Sequence, residues 1–340
     1  RPRFGTQIGR RDALLAGLGA GLGAGLAMAA PHAALARGAS VSDNRGIIPA
    51  GGAIAQTATL QKALDDAAAS GKPLFLPAGT YKTGTLTLQP GTHVHGVPGR
   101  TILKAGGEPM LTLSGAANVR LSGLVLDGGG IPLGNDGALM TATEATGLDV
   151  SECRFLNSGG SGMNLRKTSG RLANCTFGNI ASAALFSEDA SALEISNNHI
   201  HDCGDNGILV WRSETGEDGT LISANRIERI AAKSGGSGQN GNGVNVFRAG
   251  SVLVTQNHIA DCAFSAVRSN AASNCQMVAN SCSRSGEVAL YAEFGFEGAL
   301  IANNIVDTAA TGISVTNFNE GGRLAVVQGN IVRTLFFRKT

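Results

Sequence analysis

From residue 148 onward the chain repeats itself, and that repeat limits the folds open to it more than any other feature. The pattern is apolar, x, x, Asn or Cys, x, Ile or Phe. Its Asn/Cys anchor falls at Cys153, Cys175, Asn198, Asn225, Asn257, Asn280, Asn303 and, degenerately, Gly329, with spacings of 22, 23, 27, 32, 23, 23 and 26 residues. A unit of 22 to 23 residues with occasional insertions suits one rung of a solenoid rather than a propeller blade or a helical repeat. The leucine-rich repeat shares the length, but its L-x-x-L-x-L frame is absent.

Columns read down the stack support this. Three before the anchor stand Val150, Leu172, Ile195, Ile222, Val254, Met277 and Leu300; two after it stand Phe155, Phe177, Ile200, Ile227, Ile259, Cys282 and Ile305. Nine after it is a Gly or Ala in most rungs, followed by an apolar residue from Met163 to Ile313. Apolar positions two apart mark strands with one face inward. A single rung cannot bury that face, but stacking on parallel neighbours about 4.8 Å away does. The expected fold is therefore all-β: a right-handed parallel β-helix, a single-stranded solenoid of 22–23-residue rungs. A short capping helix is predicted at its N-terminal end, over residues 57–70, where Leu60, Ala63, Leu64, Ala67 and Ala68 share a face.

The anchor Asn sits at a bend where its amide meets the same amide one rung up. That arrangement resembles the asparagine ladder of pectin-lyase-like β-helices. The segment LFLPAGTYKTG, residues 74–84, resembles the capping start of many extracellular β-helix proteins. Cys153 and Cys175 replace Asn in adjacent rungs; a disulfide is one reading and inward thiols the preferred one. Cys203 and Cys262 share another inward column with Ile230 between them, which disfavours a bond.

Gly supplies 49 of 340 residues and aromatics only 4%, yet 43% are hydrophobic, so the core is built from small and β-branched side chains. The formal charge is +2 and no basic run follows residue 11, which leaves no electrostatic footprint for nucleic acid. Residues 1–36 read as a signal peptide: Arg10 and Arg11, a Gly-rich apolar stretch over 13–30, then Ala34-Leu35-Ala36 with cleavage expected after Ala36. The paired arginines resemble a twin-arginine signal. Its implication is export in the folded state through the twin-arginine machinery to a periplasmic or secreted location, with no stable membrane insertion after cleavage. Folding in a reducing cytoplasm also argues against a disulfide framework. Residues 37–340 then form the β-helix domain, with a cap over about 45–80 and rungs over about 81–340. The tail ends in mid-rung, eleven residues after Gly329, so truncation at the C-terminus is expected.

A twin-arginine signal joined to Asn-x-Ile rungs resembles a family of twin-arginine-translocated repeat proteins whose function is not established. The wider superfamily includes pectate and pectin lyases, polygalacturonases, alginate epimerases and phage tailspikes, which implies a glycan partner.

The register identifies one outward strand face. Eleven after the anchor lie Asn164, Phe186, Leu209, Asn245, Arg268, Tyr291 and Ser314. Thirteen after lie Arg166, Glu188, Trp211, Phe247, Asn270, Glu293 and Thr316, and fourteen after lie Lys167, Asp189, Arg212, Arg248, Ala271, Phe294 and Asn317. Sugars stack on aromatic rings and Arg forks suit uronate carboxylates. The expected substrate-binding residues are Trp211, Arg212, Asn245, Phe247, Arg268 and Glu293, and the catalytic candidates are Tyr291, Arg248 and Glu188. The competing reading of this face is solvated strand residues with aromatics covering the sheet. Insertions at 213–219 and 231–242 flank Trp211, Arg212 and Arg248 and would wall a groove.

The named activities find no match. Glu188 and Asp189 lack further acids for a Ca²⁺ cluster, and no Gly-His-Gly, Arg-x-Lys or Asp-Pro-His-Asp segment occurs. Glu188 and Glu293, taken as five rungs or about 24 Å apart, are too distant to act as paired carboxylates. His199 and His201 lack a third ligand, so no metal is expected. Asp202, Arg229, Asp261, Arg284 and Asp307 alternate up one column, and Asp202 is read as structural. Asp127 and the Asn135-Asp136-Gly137 segment read as turn formers. No motif calls for a cofactor. The expectation is a protein that binds an anionic polysaccharide, with lyase-like cleavage by Tyr291 or an Arg as base. The alternative is a non-catalytic structural or adhesive solenoid of the cell envelope.

Overall fold

The computed structural model describes residues 55–104, 106–134, 137–316 and 320–336. The expected signal peptide with Arg10, Arg11 and Ala36, the first part of the cap, Asn135, Asp136, Asn317 and the last four residues lie outside the described residues.

Three stacks of parallel strands wind into a right-handed β-helix of about 11 turns. Sheet I runs from Leu74–Phe75 to Arg323–Gln328 and has eleven strands among the described residues. Sheet II starts at Gly79–Lys82 and Thr101–Lys104 and includes Arg154–Ser158, Thr176–Ile180, His199–Cys203, Arg226–Ile230 and His258–Cys262. Sheet III starts at Leu86–Thr87 and includes Ser161–Arg166, Ala183–Glu188, Asn206–Glu217, Asn242–Gly250 and Val267–Asn270. In the late rungs Ser281–Glu293 and Ile305–Thr316 run unbroken from sheet II into sheet III.

The inward columns are the predicted ones. Val150, Leu172, Ile195, Ile222 and Val254 are buried, as are Phe155, Phe177, Ile200, Ile227 and Ile259. Phe155 and Phe177 stack with ring centroids 4.8 Å apart. Each such side chain contributes about 1.5–3 kcal/mol on burial, so stacked columns supply most of the stability. At the N-terminal end helix α1, Thr57–Ser70, lays Leu60, Leu64 and Ala67 on the first rung. Gln61 donates to the Thr87 carbonyl and accepts from its N–H, and Thr57 Oγ1 accepts from Gly84 N–H, so side chains close the open strand edge. The C-terminal end has no such cover among the described residues: Leu324, Val326, Ile331 and Leu335 are exposed.

The ladder runs Asn198, Asn225, Asn257, Asn280, Asn304 and Asn330. The Nδ2 of each but the last donates to the Oδ1 of the next, over 2.9–3.1 Å. Each also donates to a carbonyl one rung below, such as Leu172 O and Ile195 O. Two expected anchors therefore move by one residue, from Asn303 and Gly329 to Asn304 and Asn330. The residue just before every anchor adopts a positive φ, from Glu152 at 54° to Gln256 at 57°, and Asn303 and Gly329 occupy that place at 57° and 64°. Asn and Gly tolerate the left-handed region, so tandem Asn303-Asn304 and Gly329-Asn330 put the tolerant residue first and the ladder residue second. Ile301 and Val306 then point inward in place of Leu300 and Ile305. A register shift between Ser285 and Val288 absorbs the extra residue, so Ile313 keeps its predicted column.

All six cysteines are buried with free thiols. Burial pushes the Cys175, Cys203 and Cys282 thiols up to about 12, which keeps them protonated. Cys175 joins the ladder through its backbone, its N–H donating to Asn198 Oδ1.

Candidate functional site

Strand pairing brings the predicted outward residues of sheet III into shared columns. Asn164, Phe186, Leu209, Asn245, Arg268, Tyr291 and Ser314 are successive partners, and so are Arg166, Glu188, Trp211, Phe247, Asn270, Glu293 and Thr316. Because rungs are only about 4.8 Å apart, aromatic residues in neighbouring rungs must meet. Trp211 lies edge-on to Phe186 and tilted against Phe247, both at 5.4 Å between ring centroids. Arg248 lies over the Phe247 ring at 4.8 Å, and Arg268 over the Tyr291 ring at 5.1 Å.

The 231–242 insertion walls this strip. Asp205 accepts from the N–H and hydroxyl of Ser234, each at 2.8 Å. Asn206 Nδ2 reaches Gln239 O and Asn240 Oδ1, and Asn242 Nδ2 donates to Gly238 O at 2.9 Å. On one side the loop bounds a groove of about 430 Å³ with Trp211, Phe247, Arg268, Asn270 and Phe294. On the other it bounds a groove of about 520 Å³ with Asn164, Phe186, Leu209 and Trp211. Trp211 lines both, so the two grooves adjoin at the aromatic strip and together make up the channel along the sheet. The second insertion is tied down at its base: Asp189 accepts from the backbone N–H and the hydroxyl of Ser213. Burial opposes the Asp189 charge, but these bonds outweigh it and hold its carboxyl below the usual range. At the other end of that insertion Asp218 is buried and accepts from Thr220, and burial raises its carboxyl above the usual range.

The predicted site residues divide into two groups. Trp211 and Phe247 face the channel, and Arg212 and Arg248 donate to the carbonyls of Ala190 and Ser213 at 3.4 and 2.9 Å, with no carboxylate bond among the described residues. Arg268, Asn245 and Glu293 are buried, at 8%, 4% and 2% exposure. Arg268 Nε meets Glu293 Oε1 at 2.6 Å and its Nη1 meets Glu287 Oε2 at 3.5 Å, so its charge is matched from within. Asn270 Nδ2 also donates to Glu293, and Asn245 Nδ2 donates to Gln239 O, so Asn245 positions the loop. Among the catalytic candidates, Glu188 pairs with Arg166 at 3.5 Å, and Thr316 Oγ1 donates to Tyr291 Oη at 3.4 Å. Glu188 and Glu293 are four strand steps apart, not five, through Trp211, Phe247 and Asn270 as successive partners. That is about 19 Å and still excludes paired action. Sequence reasoning missed Asp205, Ser234 and Gln239, which build the channel wall; the insertion marked the region but not the partners.

The outer face of sheet II carries a different pattern. Arg229 donates to both oxygens of Asp202, at 2.7 and 3.2 Å, and also meets Glu228 at 2.8 Å. Arg284 donates to Asp261 in the same way. The fifth member of that column is Thr308 rather than Asp307, which sits one place earlier and pairs with Arg333 at 2.8 Å. His199 Nε2 contacts Glu228 at 3.1 Å and His201 Nδ1 contacts Asp202 at 2.7 Å. Hydrogen bonding from Arg229 lowers the Asp202 carboxyl to about 2. At Glu228 burial opposes the charge, but Arg226, Arg229 and His199 outweigh it and bring it also to about 2. Among the described residues no group of three or more His, Cys, Asp or Glu side chains assembles to hold a metal ion. Asp127 accepts from Gly129 N–H and Asn157 Nδ2, as a turn former does.

Residues 100–227 match the family described as "Right handed beta helix region". Three solved structures are similar over most of the chain. The A-module of the mannuronan C-5 epimerase AlgE6 of Azotobacter vinelandii is 16% identical with a TM-score of 0.57, covering 83% of this chain and 96% of that one. The hyperthermoactive exopolygalacturonase of Thermotoga maritima is 11% identical with a TM-score of 0.56, covering 83% and 88%. The enzymatically active domain of tailspike protein 2 of bacteriophage CBA120 is 13% identical with a TM-score of 0.59, covering 76% and 41%. At such identities the likeness concerns the fold. No curated protein sequence matches the chain.

Proposed function

We propose that this protein binds a polysaccharide along the outer face of sheet III. The observation that carries the reading is the Phe186–Trp211–Phe247 strip on the floor of a channel walled by the 231–242 loop. Aromatics make up only 4% of the chain, so three of them touching on one outward face is not background. Rings in three neighbouring rungs, set edge-on and tilted to one another, make a contiguous apolar surface against which the C–H faces of sugars pack. An epimerase named for mannuronan and an enzyme named exopolygalacturonase share the architecture, which supports the same class of partner.

The finer reading is an anionic polysaccharide. Its contacts fall to Arg248 and Arg212, since Arg268 is matched by Glu293 and Glu287. If the chain is cleaved, β-elimination with Tyr291 as base fits the residues better than hydrolysis. The location we propose is periplasmic or secreted, reached through the twin-arginine route from the Arg10-Arg11 signal. The second reading, a non-catalytic solenoid, is favoured by one observation: Glu188, Asp189 and Glu293 are each engaged by Arg166, Ser213 or Arg268 rather than left for chemistry. A glycan-array screen of the purified protein and of a Trp211→Ala, Arg248→Ala double variant tests the proposal. Binding to acidic glycans that the double variant loses, followed by absorbance of unsaturated products, supports the first reading. Binding without products supports a binder that does not cleave, and binding that the double variant keeps, or no binding by the folded protein, supports the structural or adhesive solenoid.

A further inference from the structure

The channel on sheet III is not closed on its flank. A lateral cleft of about 440 Å³ opens around the turn between sheets II and III. Gly159 and Ala181 line both the cleft and the 520 Å³ part of the channel, so the two spaces adjoin at residues with small side chains. The two spaces lie on the same rungs, while the channel continues past the junction to Gly134 and Gly137 in one direction and Phe294 in the other. The geometry is thus a side opening off a through-going groove. A linear chain on the sheet runs past it; only a substituent pointing sideways enters it.

The cleft mixes small apolar residues with a few polar groups and one unmatched charge. Asp202 and Arg229 line it as a bidentate pair, so their charges offset each other. Asn179 lines it too, donating to Asn157 Oδ1 at 3.2 Å. Lys233 is the remaining charge. Its backbone N–H is fixed to Gly204 O at 2.8 Å. Its stem lies against Gly204, where an added Cβ would come 3.4 Å from Lys233 Cδ. Its ammonium has no ion pair with a described carboxylate, in contrast to Arg229 in the same cleft. A cation held by its stem at the mouth of such a cleft selects for an anion among ligands that otherwise bind through hydroxyls.

We infer that the lateral cleft takes a single carboxylate-bearing sugar carried as a side branch of the polysaccharide whose main chain lies on sheet III, with Lys233 as the residue that reads its charge. This rests on the reading of sheet III as the glycan platform. The size fits, since sites of about 300–1,000 Å³ hold small-molecule ligands, and one sugar ring needs the lower end of that range.

The test is a glycan array bearing linear backbones, the same backbones with neutral single-sugar branches, and the same with uronic-acid branches. It is probed with the wild-type protein, Lys233→Ala and Trp211→Ala. The expected result is that the wild type prefers uronic-acid branches about tenfold, one charge-assisted contact. Lys233→Ala loses that preference while keeping its binding to linear chains, and Trp211→Ala loses both. Equal binding of linear and acid-branched glycans by the wild type, or an unchanged preference in Lys233→Ala, overturns the cleft assignment and leaves the platform standing. Array binding that Trp211→Ala does not weaken, or no binding by folded wild type, overturns the platform and the cleft together.

Discussion

The outer faces of sheets II and III are built on the same rungs and the same backbone, yet they spend their side chains differently. On sheet II the charges of two rungs close on each other: Asp202 with Arg229 and His201, Glu228 with Arg226, Arg229 and His199. On sheet III the aromatics meet instead, and the inserted loop stands over them. A face whose polar groups bond one another has little to offer a ligand. A face with a ring strip, a wall and guanidiniums bonded only to carbonyls does. Stability and recognition are thus separated by sheet, apart from the largely exposed Arg166–Glu188 pair and one buried exception, the ion pair of Arg268 and Glu293 under the sheet III channel.

That exception supplies the largest expected effect. Arg268→Ala leaves Glu293 buried without its cation, and urea unfolding should show a loss of about 3 kcal/mol. A loss below about 1 kcal/mol would mean that Glu293 is relieved by protonation or water, and the exception would vanish. Next comes Trp211→Ala, which should weaken polysaccharide binding at least about tenfold. Its channel-facing side should leave the unfolding midpoint less affected than in Arg268→Ala. Arg284→Ala, on sheet II beyond the cleft, should do the reverse: a stability loss of about 1 kcal/mol or less, because its guanidinium is half exposed, and unchanged glycan binding. Weakened binding there would break the division between the sheets.

The smallest effect is in acid. Asp202 and Glu228 titrate at about 2 in the folded protein, below the roughly 3.9 and 4.3 of unfolded chains. Depressed carboxylates stabilise the fold above their unfolded values. That contribution declines as pH falls from about 5 and is gone below about 2. An Asp202→Asn, Glu228→Gln variant should therefore show a shallower fall in stability over that window than the wild type, followed by the denaturation midpoint at each pH. An identical slope would place the acid sensitivity elsewhere.

The repeat made the fold legible because inward positions recur with period two and leave the columns no choice of face. It also placed Trp211 and Phe247 side by side, with Phe186 diagonal to Trp211 one rung away, since register decides which outward residues become neighbours. It could not show which outward charges would pair. Arg268 and Glu293 are 25 residues apart in sequence and one rung apart in space, and whether an arginine reaches a glutamate or a ligand depends on side-chain rotamers and on Glu287 nearby. The shift from Asn303 to Asn304 has a similar origin. Both are asparagines, and only the backbone conformation separates the residue that turns the chain from the residue that bonds the ladder. The loop wall was out of reach because Asp205, Asn206 and Asn245 hold 231–242 by side chain-to-backbone bonds that leave no period in the sequence.

Trp211 is the single tryptophan of the chain, so its fluorescence reports on the channel floor and nothing else. The most direct measurement is a titration of the protein with polymannuronate, polygalacturonate and dextran while tryptophan emission is followed. The account predicts a saturable change in intensity or wavelength with at least one polysaccharide, absent with its monosaccharides at equal sugar concentration. Polysaccharide binding shown by an independent method with Trp211 emission unchanged would contradict it, and so would silence with every polymer tried on folded protein.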